Sequence, residues 1–335
     1  MLRNMNTQLN VAATVNMESL TLLANEFRQQ FDLSSEVIHE RLNGRRFMFN
    51  RDGKENYPFD DWESTPGVEA VPMVPSGEVI TVASTDSSCI LLGETSDSSV
   101  YAVRAAVCFA QQGTVQGYFR IGPMVVHLSS KGSCGLPTKL EGYELRVALS
   151  DHLIAERIIR NTMEKRILAS LLSFPQKMVV MADGSLKHPL DSYPELLFKD
   201  GDSGSSLIGI SKTSAMVSSN KLSGVVSRAK GPSYASVEEG TIHTLLAKFA
   251  RDGIVFRVDV ARSRGRVPQT LGAVLSNDNF TAGYPESLRV AHHLSVFARS
   301  EDMALKAYIT NRYELKQLRS FGLRRIALGG LSNSG

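Results

Sequence analysis

Cysteine is scarce: Cys89, Cys108 and Cys134 are the only three in 335 residues, and no two form a C-x-x-C pair. So sparse and odd a set fits a reducing compartment and argues against both a disulfide framework and a zinc site. Cys89 and Cys108 fall inside apolar runs and read as small core residues, while His127 and Cys134 together supply only two ligands. No apolar run is long enough to span a bilayer, and the first twenty residues lack a basic stretch followed by an apolar one. The expected protein is therefore cytoplasmic, with no membrane partner. The pattern G-x-x-x-x-G-K-[ST] occurs nowhere, which excludes a P-loop motor. Excess charge is also small: 37 basic against 34 acidic residues give a formal net charge of +3, which permits an anionic partner without requiring one.

What is present is enough apolar material, 42% of the chain, for one large domain with an appendage. Leu20, Leu23, Phe27 and Phe31 recur at helical spacing, so residues 1–77 read as a helical segment followed by a long irregular connection. Residues 78–300 form the expected central domain, and residues 301–335 a basic tail with Arg312, Lys316, Arg319, Arg324 and Arg325. Within the central domain, Val79–Thr85, Val100–Phe109 and Val115–Val126 read as an antiparallel meander whose first strand leads to a turn at Asp86-Ser87-Ser88. Asp151–Ser173 carries a wide helical face closed by Pro175, and Met178–Ala182 is an apolar run too short for a helix, ending at Asp183-Gly184-Ser185. Ser206–Ser211 reads as a further strand, with Lys212 after it. Ile242–Ala250 reads as a short helix and Ile254–Val260 as a strand carrying Asp259. A second hairpin-like stretch, the helix Glu286–Arg299 and the tail complete the chain.

Three strands, a helix and a parallel return make an α/β arrangement with a mixed sheet, which sets the ends of the first and fourth strands side by side. In that geometry Asp86 and Asp183 face each other. Glu164 lies next to the buried stripe of the intervening helix, with Glu156 eight residues earlier as the competing candidate. Asp86, Glu164 and Asp183, with Asp259 as a fourth, form an acidic set whose all-oxygen ligation suits Mg²⁺ or Mn²⁺. Two such ions clamp the attacking and leaving oxygens of a phosphodiester during in-line displacement. A plain turn at Asp183-Gly184 is the alternative for that dipeptide alone.

These acids lie in segments that resemble the NurA nuclease family in order along the chain: V-A-S-T-D-S-S with Asp86, E-R-I-I-R-N-T-M-E with Glu164, V-M-A-D-G-S-L with Asp183, I-S-K with Lys212, F-R-V-D-V with Asp259, and G-Y-P-x(6)-H with Tyr284 and His292. Each segment is weak alone, and the likeness rests on all six. One departure is Ser87-Ser88 where the family commonly has a glycine after the first acid.

The resemblance implies a ribonuclease H-like core with C-terminal helices. It also implies Asp86, Glu164 and Asp183 as metal-binding acids for Mn²⁺ or Mg²⁺, as two ions, with Tyr284 and His292 beside the scissile phosphate. By the same likeness the activity is that of a 5′-to-3′ exonuclease and single-strand endonuclease. Its setting is a homodimer working with a HerA-type hexameric ATPase on DNA ends in recombinational repair. Lys212 and the alternating Arg262, Arg264 and Arg266 are the expected DNA contacts, with ordinary solvated positions as the alternative. Two rival readings come from other classes. One is a non-catalytic adaptor docking on a motor ATPase. The other is a serine protease through Ser203 in G-D-S-G, with His127 and Asp151, or His152, as partners.

Overall fold

The computed structural model describes residues 22, 25–29, 37–38, 46–47, 70–95, 97–187, 204–212, 221–261, 266–314 and 316–317. Its centre is a ten-stranded mixed sheet. In chain order the strands are β1 (Val71–Pro72), β2 (Thr81–Glu94), β3 (Ser98–Gln111), β4 (Thr114–Ser129), β5 (Gly132–Cys134), β6 (Met178–Asp183), β7 (Ser206–Ser211), β8 (Ser233–Glu238), β9 (Ile242–Lys248) and β10 (Phe256–Ala261). Across the sheet they run β1-β8-β9-β10-β7-β6-β2-β3-β4-β5. Strands β2, β3 and β4 form an antiparallel meander, β6 pairs parallel with β2, and β7 pairs parallel with β6. This meander followed by a parallel return is the ribonuclease H-like arrangement expected from the sequence. Helices α1 (Gly142–Ser150) and α2 (His152–Leu172) connect β5 to β6. Beyond the sheet core come α3 (Lys221–Arg228), α4 (Val267–Asn277), the hairpin β11 (Phe280–Thr281) and β12 (Tyr284–Pro285), α5 (Glu286–Ser295) and α6 (Arg299–Arg312).

Alternation along the central strands builds two cores, one on each side. Ala83, Val180 and Ala182 pack with Ile159, Met163 and Ile167 of α2. Their neighbours Val82, Val179 and Met181 pack with Leu271 and Val274 of α4 and Leu288 of α5. Asp151 starts α2 by accepting the amides of Leu153 and Ile154, as its position before the apolar stripe suggests. Phe27 is buried in the α2-side core, and Glu26 pairs with Arg166 at 2.6 Å, so the described part of the N-terminal helix serves packing. Cys89 and Cys108 are buried and unbridged.

Several local expectations change. The first strand does not turn at Asp86: Ser87 and Ser88 continue it, paired with Ala105 and Arg104 of β3. Ile242–Ala250 is not helical, because its residues are buried on both faces of β9, and an unbroken apolar run has no period to separate strand from helix. The hairpin-like stretch after Arg266 is the helix α4, with proline in its first turn. The helix expected over Glu286–Arg299 ends at Ser295, and a separate helix begins at Arg299 and runs to Arg312. Ile309 and Tyr313 are buried with Leu92, Val100 and Val125, so the chain to Tyr313 belongs to the folded body rather than to a tail beginning at 301. Val71–Pro72 likewise joins the sheet through β8, and the boundary expected at 77 falls inside that body. Arg319, Arg324 and Arg325 lie outside the described residues.

Asn277, at the end of α4, ties that helix to the meander. Its Oδ1 accepts the amides of Ile80 (3.2 Å) and Gln112 (3.3 Å), and its Nδ2 donates to the carbonyls of Glu78 (2.7 Å) and Ala273 (3.0 Å). Truncation leaves backbone groups without partners, at about 1–3 kcal/mol each when buried. Asn277→Ala is expected to lower unfolding stability by about 3 kcal/mol, read as a fall in the urea midpoint at unchanged slope; a shift below about 0.5 kcal/mol would contradict this role.

Candidate metal centre

Strand β2 carries its site residues to both faces by alternation. Val82, Ser84 and Asp86 face α5, where Ser84 Oγ meets Ser287 Oγ at 2.5 Å. Ser87 faces α2, where its Oγ donates to Glu164 Oε1 at 2.5 Å. The parallel register pairs Thr85 with Ala182, so the next residues along, Asp86 and Asp183, lie side by side on one face. Gly184 then turns the chain away at φ +131°, a backbone region open to glycine.

Helix α5 brings the third member. Its first turn is held by Asp278, which accepts the Ser287 amide at 3.2 Å and the Ser287 hydroxyl. At its far end Ser295 Oγ donates to Asp86 Oδ2 at 2.7 Å. Tied at both ends to β2, the helix sets His292 Nδ1 2.9 Å from Asp86 Oδ2 and 3.8 Å from Asp183 Oδ2. Among the described residues, the group of potential ligands found is Asp86, Asp183 and His292, whose donor atoms lie within 4.8 Å of one another. His293 beside it is exposed.

The groups at this rim shift one another's protonation. Burial, and then the charge of Asp86, push the Glu164 carboxyl up to about 8. The same two causes raise Asp183, with Lys212 opposing them. Lys212 Nζ lies 2.6 Å from Asp183 Oδ2 and 4.9 Å from the centre of the Tyr284 ring. The hydrogen bond to Asp86 raises His292. Tyr284 Oη is buried beside Asp183 yet makes no hydrogen bond of regular geometry, and burial with the nearby carboxylate holds its proton on. Two carboxylates and an imidazole with donor atoms within 4.8 Å of one another fit a divalent ion.

The sequence-derived set is thus partly gathered and partly not. Asp86, Asp183, His292, Tyr284 and Lys212 meet, and Glu164 adjoins them from the other face. Glu156 is placed elsewhere: its Oε1 accepts the Leu91 amide at 2.9 Å, farther along β2. Asp259 is not a member, and strand parity is the reason. It pairs with Gly209, which pairs with Ala182, so its side chain emerges on the face opposite Asp183. Both its oxygens are engaged, by Thr244 and Arg257 on one and Ser185 and Leu186 on the other. Arg266 is exposed at the start of α4. Arg262, Arg264 and Ser203 lie outside the described residues; of the protease partners, His127 is buried in the sheet and Asp151 caps α2. Sequence reasoning placed His292 beside the scissile phosphate and missed that it joins Asp86 and Asp183 in one group of potential ligands; it also missed Ser87, Ser287 and Ser295, which contact these acids or their strand. The alternation of Ser84 and Asp86 on β2, against Ser287 and Ser295 eight residues apart on α5, is the signal that carried them.

No family model matches the chain, and no curated protein matches it in sequence. Solved structures do. They include nucleases. The NurA nuclease from Sulfolobus solfataricus is 13% identical over 73% of this chain and 88% of that one, with a TM-score of 0.44. NurA bound to dAMP and manganese is 10% identical over 72% and 90%, also with a TM-score of 0.44. Endonuclease V from Bacillus subtilis is 13% identical over 73% and 88%, with a TM-score of 0.36. Among the described residues, no helix is long and apolar enough to cross a membrane.

The raised groups fix a pH dependence for the metal-free protein. An acid held above its unfolded value destabilises the fold as pH rises from the ordinary carboxylate range to the folded value, here about 8 for Glu164. His292 acts in the same direction: its contribution is full below the unfolded imidazole value and is lost as pH rises through the raised one. With chelator present, the melting temperature is expected to fall between about pH 6 and pH 8.5, and the increment from added Mn²⁺ to grow over that range as protons leave the ligands. Thermal melts at both pH values measure this, and a Mn²⁺ increment independent of pH would contradict it.

Proposed function

We propose that this protein is a divalent-metal-dependent nuclease of the NurA type, hydrolysing DNA phosphodiesters. The observation that carries the reading is the convergence of Asp86, Asp183 and His292 within 4.8 Å, with Glu164 adjoining from α2. Closely spaced, mostly buried carboxylates repel one another unless a cation offsets them, and a purely structural cluster has no use for that cost. The resemblance of six sequence segments to the NurA family supports the same conclusion, as does the ribonuclease H-like strand order.

Asp86, Asp183 and His292 would hold the ion, with Glu164 as the fourth group and a second ion following from the family resemblance. Bound there, a divalent cation supplies charge neutralisation at the phosphate and activation of water. The chain's own groups do the rest. Tyr284 keeps its proton and so acts as a hydrogen-bond donor to a phosphate oxygen. Lys212, exposed at one side of Asp183, neutralises the substrate backbone, and Arg262, Arg264 and Arg266 extend that contact. His292 enters as a ligand through Nδ1 rather than as the proton donor. An imidazole beside two carboxylates suits Mn²⁺ better than Mg²⁺, which prefers oxygen alone. The motif resemblance further supports 5′-to-3′ exonuclease and single-strand endonuclease activity, a homodimer, and work on DNA ends with a HerA-type hexameric ATPase.

The test is digestion of fluorescent single-stranded DNA with Mn²⁺, Mg²⁺ or chelator. Cleavage is expected to be fastest with Mn²⁺ and absent with chelator. Asp183→Asn and His292→Ala should abolish it while DNA binding survives, and His293→Ala should leave it unchanged. Wild-type cleavage rates in Asp183→Asn, or Mn²⁺ binding without any cleavage by the wild type, would overturn the proposal.

A further inference from the structure

Asp259 belongs to none of the catalytic roles above, yet it is fully buried and joins the sheet to the turn that follows Asp183. From the sheet side, Oδ1 accepts Thr244 Oγ1 at 2.9 Å and Arg257 Nε at 3.2 Å. From the turn, Oδ2 accepts Ser185 Oγ at 2.5 Å and the Leu186 amide at 3.0 Å. The turn itself lies down on β7, where the Gly184 amide donates to Ile210 at 2.9 Å. It comes so close there that a Cβ on Gly209 would sit 2.5 Å from the Gly184 carbonyl oxygen and 3.2 Å from the Leu186 nitrogen. Neither contact is a flexible side-chain end, so an alanine at 209 has to move the turn.

We infer that Asp259 and Gly209 form a latch that holds the Gly184–Leu186 turn and thereby fixes the carboxylate of Asp183 for cation binding. The inference rests on the metal site proposed above and assigns Asp259 as a positioning residue acting through Asp183. The need for such a latch is physical. Asp183 ends its strand, the next residue has the freedom of a glycine, and the Asp86 carboxylate lies beside it on the same face. A charged acceptor buried under the turn opposes movement of the turn with a charge-assisted hydrogen bond to a backbone amide. Asparagine at 259 keeps the shape but lacks the charge and cannot accept from all four donors. Alanine at 209 leaves Asp259 intact and lifts the turn from the other side.

The experiment uses the full chain and four proteins: wild type, Asp259→Asn, Gly209→Ala and Thr244→Val. Thr244→Val removes a sheet-side hydrogen bond to the same carboxylate but leaves Oδ2 on the turn. Mn²⁺ binding is titrated by calorimetry well below every melting temperature, and exchange of the Leu186 amide is followed in chelator. Asp259→Asn and Gly209→Ala are expected to exchange faster at Leu186 and to bind Mn²⁺ about 10- to 100-fold more weakly, as loss of supporting groups behind ligands does elsewhere. Thr244→Val is expected to lose melting temperature while keeping most of its affinity. Faster exchange with Mn²⁺ affinity kept would overturn the latch, as would an equal loss in Thr244→Val. Should Asp259→Asn fail to fold, Gly209→Ala decides the matter alone. Failure of the wild type to bind Mn²⁺ would instead overturn the metal site, and the latch with it.

Discussion

Repulsion between carboxylates held out of water is the constraint around which this molecule is arranged. The parallel pairing of β2 with β6 leaves no freedom in the matter: once Thr85 lies beside Ala182, Asp86 lies beside Asp183. Burial removes the screening that would make such neighbours tolerable at a surface. The described structure answers with the Lys212 ammonium on Asp183, the His292 imidazole hydrogen-bonded to Asp86, and a Glu164 carboxyl pushed up to about 8. In the proposed function a divalent ion takes over this neutralisation.

The same strand gathers groups from both layers of helix. Asp86 meets α5 and Ser87 meets α2, so consecutive residues of β2 bring His292 and Glu164 to one rim from opposite faces. Rigid elements do this work throughout. The helix α5 is tied to β2 at both ends, through Ser287 at the first turn and Ser295 at the last. The turn at Gly184 is held through Ser185 and Leu186 by Asp259.

Much of this was legible in the chain. The apolar run before Asp183, the capped helix from Asp151 and the meander with its parallel return all follow from period and punctuation. So does the side-by-side placing of Asp86 and Asp183, since the strand order sets it. What escaped depends on parity and on contacts between distant segments. Asp259 stands in a strand of the expected kind, but one residue of register decides which face it takes, and sequence alone does not fix register against Gly209. Ser87 and Ser88 looked like a turn because serine in an isolated window favours one; pairing with Ala105 and Arg104 of β3 keeps them in the strand. The β9 segment read as helical because burial on both faces erases the alternation that identifies a strand. Glu156 and Glu164 share the face of one helix, and their difference is which stretch of β2 each one meets.

The central claim is that Asp86, Asp183 and His292 share one cation. Crystals grown with Mn²⁺ and measured for its anomalous scattering test this most directly. The account predicts a peak within coordination distance of Asp86, Asp183 and His292 Nδ1, with Lys212 displaced from Asp183. Anomalous density elsewhere, or none at that rim with Lys212 still seated on Asp183, would contradict it.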